Sequence, residues 1–153
     1  MLTVIIIYLL SLCILTGFTY SSKRSIIDTG SKYIGMVEGV KINEEIYKFT
    51  GLDIDTRSTA WCAAFVGMVL SESGYPLKKT LRARDFLTYG KHATNPKKGD
   101  IVVLTRTSNP NKGHVGFYMY ENEVYVFLLG GNQDNMVKVK AYLKSRIIDI
   151  RRA

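Results

Sequence analysis

A chain of 153 residues is the size of one domain with a substantial core, and 46% hydrophobic against 22% charged residues excludes a disordered chain. Lysine and arginine number 21 against 13 acidic residues, a formal net charge of +8 that suits a polyanionic partner: nucleic acid, anionic lipid or a bacterial wall. For nucleic acid the charge stands alone with no motif behind it, so none is expected as a partner.

The chain opens on an apolar run from Leu2 to Thr19, and no charged side chain occurs in the first 22 residues. The run is just long enough to span a bilayer. Two readings of residues 1–22 compete, a cleaved signal peptide and a retained anchor. Thr19, Ser21 and Ser22 offer small residues for cleavage. The lack of a basic stretch before the run, and Lys23-Arg24 directly after it, argue the other way. The expectation is an exported domain over 23–153, in periplasm or wall, or one held at the membrane through residues 2–19. Cys13 lies inside the run and reads as an ordinary apolar cysteine.

From Ser25 to about Val37, Ile26, Ile27, Tyr33, Ile34 and Val37 approximate a helical stripe that Gly30 weakens and Gly39 ends. A second short helix fits 42–50, with Ile46 and Phe49 inward. Residues 51–58 read as a polar loop. The third helix has the strongest periodicity: Ser58 or Thr59 precede it, Trp61, Ala64, Phe65, Met68 and Val69 recur at helical spacing, and Gly74 and Pro76 close it. A fourth helix fits 81–89. His92 reads as a surface-loop residue.

The second half changes character. Strands are expected at 100–105, 114–120, 124–129, 136–142 and 146–150, with a turn-prone loop at 108–113 and a reversal at 121–123. Helices first and strands afterwards predict an α+β domain with a mostly antiparallel sheet.

The chemistry centres on Cys62, the cysteine outside the apolar run. It stands in the first turn of the third helix, where the helix dipole favours thiolate. His114 opens a strand. If 114–120 and 124–129 form a hairpin, position 114 falls opposite about 130, and Asn132 or Gln133 comes within reach of the imidazole. An amide oxygen there would fix its tautomer. Gly130 and Gly131 permit close approach. The parts of a cysteine–histidine nucleophilic pair are present. A zinc site lacks ligands, and Asp53 and Asp55 are too poorly spaced for calcium.

Trp61-Cys62-Ala63-Ala64-Phe65-Val66, Lys98-Gly99-Asp100-Ile101-Val102-Val103-Leu104, Gly113-His114-Val115-Gly116-Phe117-Tyr118 and Gly130-Gly131-Asn132-Gln133 occur in that order. The pattern resembles the small papain-fold peptidoglycan hydrolases of the CHAP and NlpC type over about residues 30–152. The resemblance implies a papain-like fold and a cysteine amidase or endopeptidase acting on wall stem peptides or cross-bridges. It implies Cys62 as nucleophile, His114 as base and Asn132 as orienting residue, with Gln133 the weaker choice. Trp61, Gly113 and Gln133 are candidates for the substrate cleft. No cofactor or metal is expected, and the domain reads as a monomer. Two rival classes are a non-catalytic wall-binding module and a cysteine peptidase or acyltransferase on other substrates.

Overall fold

The computed structural model describes residues 22–106 and 109–153. The apolar run at 2–19, Cys13 and the expected leader or anchor lie outside the described residues. Among the described residues no helix is long and apolar enough to cross a membrane.

Ser25 caps the first helix, α1 (Ile26–Ser31), its side chain accepting the Asp28 N–H at 3.2 Å. The stripe expected to run to Val37 stops earlier. Beyond Ser31 the backbone turns to the sheet: Gly35 N–H donates to the Val137 carbonyl, Val137 to Met36, and Glu38 to Asn135. With its hydrogen bonds committed there, the segment cannot stay helical, and Ile34 and Val37 end up exposed. The second helix, α2 (Val40–Thr50), buries Ile42 and Ile46 and stops at Gly51, whose φ of 66° lets its N–H reach the Tyr47 carbonyl.

The third helix, α3 (Cys62–Glu72), is buried continuously from Cys62 to Leu70. A helix apolar all round must be covered all round. It packs on α1, on α2 and on two central strands of the sheet. The expected fourth helix is a 3-10 segment, Ala83–Thr88. Its buried residues are Ala83 and Phe86, three apart, the spacing that a three-residue turn eclipses.

Six strands follow: β1 (Lys91–His92), β2 (Ile101–Arg106), β3 (Asn109–Glu121), β4 (Tyr125–Gln133), β5 (Met136–Leu143) and β6 (Ile147–Arg152). They form one antiparallel sheet in the order β1-β6-β2-β3-β4-β5. His92 therefore belongs to an exposed edge strand rather than a loop, with Nδ1 2.6 Å from Asp149 Oδ1. Asn109 to Gly113, expected as a turn, belong to β3, because a bulge between Thr105 and Arg106 lets the β2–β3 hairpin continue outward. Alternation along the strands splits the core. Ile101, Val103, Val115, Phe117 and Leu129 face the helices, while Val102, Leu104, Val126, Leu128 and Ile150 build a second cluster. The start of β2 is tied to the end of β6 by buried Asp100, which accepts from Arg152 Nε at 2.8 Å and Nη2 at 2.7 Å. The α+β expectation holds in full.

Candidate active site

Cys62 is the first residue of α3, and the first helical hydrogen bond runs from the Phe65 N–H to the Trp61 carbonyl at 2.9 Å. The helix therefore leaves the N–H groups of its first turn free of intrahelical acceptors. Those of Cys62 and Ala63 act on the thiol, as does the N–H of Val115, the residue after His114. The sequence reading expected a thiolate. Instead burial, with only 3% of the residue exposed, pushes the Cys62 thiol up. The backbone N–H groups and the Arg106 charge offset only part of this, because desolvation of a charge outweighs nearby dipoles.

His114 sits in β3 opposite Leu104 and is 5% exposed. Burial is the main cause that lowers its pKa from 6.5 to about 4; the charges of Arg106, Arg146 and Lys140 act in the same direction, and Gln133 opposes them. At neutral pH the site therefore rests as a neutral thiol and a neutral imidazole.

The amide that meets His114 is that of Gln133, with Nε2 and Oε1 3.1 Å apart. Gln133 is fixed at both ends. Its Nε2 donates to the carbonyls of Gly130 (3.2 Å), Leu128 (3.3 Å) and Lys138, and its Oε1 accepts from the Tyr142 hydroxyl at 3.0 Å. With the nitrogen turned to three carbonyls, the oxygen must face the ring. His114 Nε2 then carries the proton, and Nδ1 keeps a lone pair. The Tyr142 ring also lies against the imidazole, 5.1 Å between centroids at 34°.

Asn132, named as the orienting residue, makes no hydrogen bond to His114. It has φ 55°, and the β4–β5 register shifts between Gly130 and Gln133. One extra residue in β4 reverses the alternation, so Gln133 rather than Asn132 reaches the ring. A second bulge, between Tyr118 and Tyr120, offsets the β3–β4 hairpin, which pairs Phe117 with Leu129 rather than placing 114 opposite 130.

Of the cleft candidates, Gly113 lines a cavity of about 280 Å³ that opens over Cys62. A side chain there would press on the Leu104 carbonyl, 2.8 Å from an added Cβ. Trp61 does not line it. Its ring is fully buried edge-on to Phe65, with Nε1 unpartnered among the described residues. Gln133 is 1% exposed and serves His114 instead. Sequence reasoning missed Tyr142, which a strand pattern marks only as a partly inward aromatic. It also missed the basic residues of the cavity wall, Arg82, Arg84, Arg106 and Lys112, which lie apart along the chain. Asp53 and Asp55 are exposed, and Asp55 Oδ1 accepts the Arg57 N–H of its own loop.

A family model described as CHAP domain matches residues 54–132. No curated protein matches the chain. Among solved structures, it is similar to a Staphylococcus aureus protein described as similar to lipoprotein, NLP/P60 family. Identity is 19%, TM-score 0.53, with 90% of this chain and 43% of that one covered. The P60 domain of a Mycobacterium avium paratuberculosis antigen gives 14% identity and TM-score 0.54, covering 84% and 90%. The peptidoglycan hydrolase RipB of Mycobacterium tuberculosis gives 16% identity and TM-score 0.54, covering 84% and 62%. The chain thus spans less than half of the staphylococcal protein and under two thirds of RipB. At these identities the likeness is one of fold, and it is the papain-like fold that the motifs implied.

Proposed function

The chain belongs to the CHAP domain family through residues 54–132, and on that premise we propose that it hydrolyses amide bonds of peptidoglycan, with Cys62 as nucleophile, His114 as general base and Gln133 as the residue that orients the imidazole. The supporting observation is the pinned Gln133 amide. It leaves His114 with a proton on Nε2 and a basic Nδ1, on the residue next to the N–H that reaches the Cys62 sulfur.

Proton transfer accompanies attack, since both groups rest neutral. Cys62 Sγ gives its proton to His114 Nδ1 and bonds to the substrate carbonyl carbon. The carbonyl oxygen becomes an oxyanion that first-turn N–H groups of α3, including that of Cys62, stabilise. The C–N bond then breaks as His114 returns the proton to the leaving amine. A water, deprotonated by His114, attacks the thioester; the acid product leaves and Sγ regains its proton. Gln133 Oε1 accepts from the imidazolium while it exists.

The proposed place of action is outside the cytoplasm, with residues 1–22 as a leader or an anchor. Fractionation of cells with N-terminal sequencing of the product tests that part: a mature chain starting near residue 23 supports a leader. For the activity, the full chain and its Cys62→Ala variant are incubated with purified sacculi, followed by turbidity and mass spectrometry of soluble products. Clearing by the unaltered chain alone supports the reading, and fragment masses name the bond. Equal inactivity on walls of several chemotypes overturns it.

A further inference from the structure

We propose that two copies of this chain pair edge to edge through β5 into a twofold dimer. The sheet order leaves β5 at one margin, and the monomer expected from the sequence leaves the outer side of this strand unexplained. Part of that side is already taken within the chain. The Glu38 N–H donates to the Asn135 carbonyl and the Val137 N–H to the Met36 carbonyl, both at 2.9 Å, around an antiparallel bridge of Val37 with Met136. Val137 thus turns its backbone groups outward, and β5 runs on against β4 without a register shift from Lys138 to Leu143. By alternation Val139, Ala141 and Leu143 point their N–H and carbonyl groups outward too. The Lys144 N–H, which turns inward to the Val124 carbonyl at 2.9 Å, fixes the same phase at the far end. Among the described residues the outward groups of 139, 141 and 143 have no hydrogen-bond partner.

The free stretch, 139–143, is complementary to a second copy of itself. A twofold axis through Ala141 sets 139 against 143 and Ala141 against its own counterpart, so that every outward N–H meets a carbonyl. The register is specific. Pairing centred one residue earlier would place the two Lys140 side chains directly opposite each other, which like charges disfavour. Centred on Ala141, Lys140 instead stands opposite the partner's Tyr142, an uncharged side chain. Lysines that guard a free edge against pairing are muted here, because Lys138 and Lys140 both meet Asp134. Side chains add apolar area: Ala141 is exposed and Leu143 is 43% exposed, and the pairing lays Leu143 opposite the partner's Val139.

A contact of this kind presents the same surface from both copies and closes at two, since each uses up the edge of the other. The net charge of +8 on each copy opposes the approach, so added salt favours the pair. β5 also carries Tyr142, whose hydroxyl holds Gln133. Pairing therefore ties down the strand that stands behind the imidazole of His114.

Sedimentation equilibrium of the full chain in mild detergent, over a wide concentration range, should show a monomer–dimer equilibrium that salt strengthens. Ala141→Pro removes the outward N–H and leaves the pairing with β4 whole. It should weaken the dimer about tenfold, the worth of the two symmetric hydrogen bonds lost, with circular dichroism checking that the variant is folded. Crosslinking reads the register without proline. In a Cys13→Ser/Cys62→Ala background, Ala141→Cys should oxidise to a covalent dimer. Leu143→Cys should not, because its counterpart lies about 13 Å away along the paired strands. A single monomeric species at every concentration overturns the proposal. So does association that a folded Ala141→Pro leaves unchanged, which would place the contact elsewhere in the chain, or a cysteine at 143 that crosslinks as readily as one at 141.

Discussion

His114 depends on one amide. Because Gln133 Nε2 is held by backbone carbonyls and Oε1 by Tyr142, the oxygen cannot turn away from the ring. Gln133→Ala should lower kcat by roughly 10- to 100-fold, as loss of a group orienting a functional histidine does, with KM little changed. Asn132→Gly keeps the positive φ and should stay close to the parent kcat. Steady-state kinetics on a soluble wall peptide separates the two; the reverse ranking would return the role to Asn132. The pH profile follows from the same pair. His114 must be unprotonated to accept the thiol proton, and its pKa is lowered to about 4, mainly by burial. The acid limb of kcat/KM should therefore have its midpoint near that value, well below that of an ordinary histidine. A midpoint at an ordinary histidine's pKa would mean that the imidazole is more solvated than it stands here.

At the scale of elements, the site depends on how closely β4 approaches the start of α3. A Cβ added at Gly131 would lie 2.5 Å from the Trp61 ring and 2.7 Å from Phe65 Cβ. Gly131→Ala should cost about 1–3 kcal/mol by overpacking and also lower kcat, because relief moves Cys62 away from β3; urea unfolding and kinetics read the two effects. What was legible in the chain falls along the same line. The periodicity of Trp61 to Val69, and the apolar strands around Val102 and Phe117, are dictated by local side chains, and both elements form where expected. Three features depended on distant partners. α1 ends early because β5 claims the backbone after it, β2 and β3 extend as a bulged hairpin, and an extra residue in β4 substitutes Gln133 for Asn132. Gly130-Gly131-Asn132 hinted at the last of these, since a glycine pair followed by asparagine tolerates the positive φ of a bulge.

Across the whole molecule, the buried imidazole links stability to pH. The unfolded chain binds a proton at His114 near 6.5 that the folded chain declines until about 4. The unfolded state holds more protons in that window, so stability is full above it and falls as pH drops through it. The loss approaches about 3 kcal/mol from this group. Urea midpoints at neutral and mildly acidic pH, for the parent and for His114→Gln, should show a fall that is smaller in the variant. Net charge was legible from composition, whereas its gathering at one cleft was not, because Arg82, Arg106 and Lys112 meet only through the fold.

The resting state of Cys62 has a further consequence. Peroxide attacks thiolate rather than thiol, and it needs access to sulfur. A thiol kept protonated by burial and only 3% exposed should resist conversion to sulfenic acid. Intact mass after peroxide treatment should show little oxygen added at Cys62 in the folded chain and ready addition in urea. On the proposed mechanism such a site would keep its nucleophile reduced in oxidising surroundings, and the thiol would become reactive only when a substrate draws the proton across to His114.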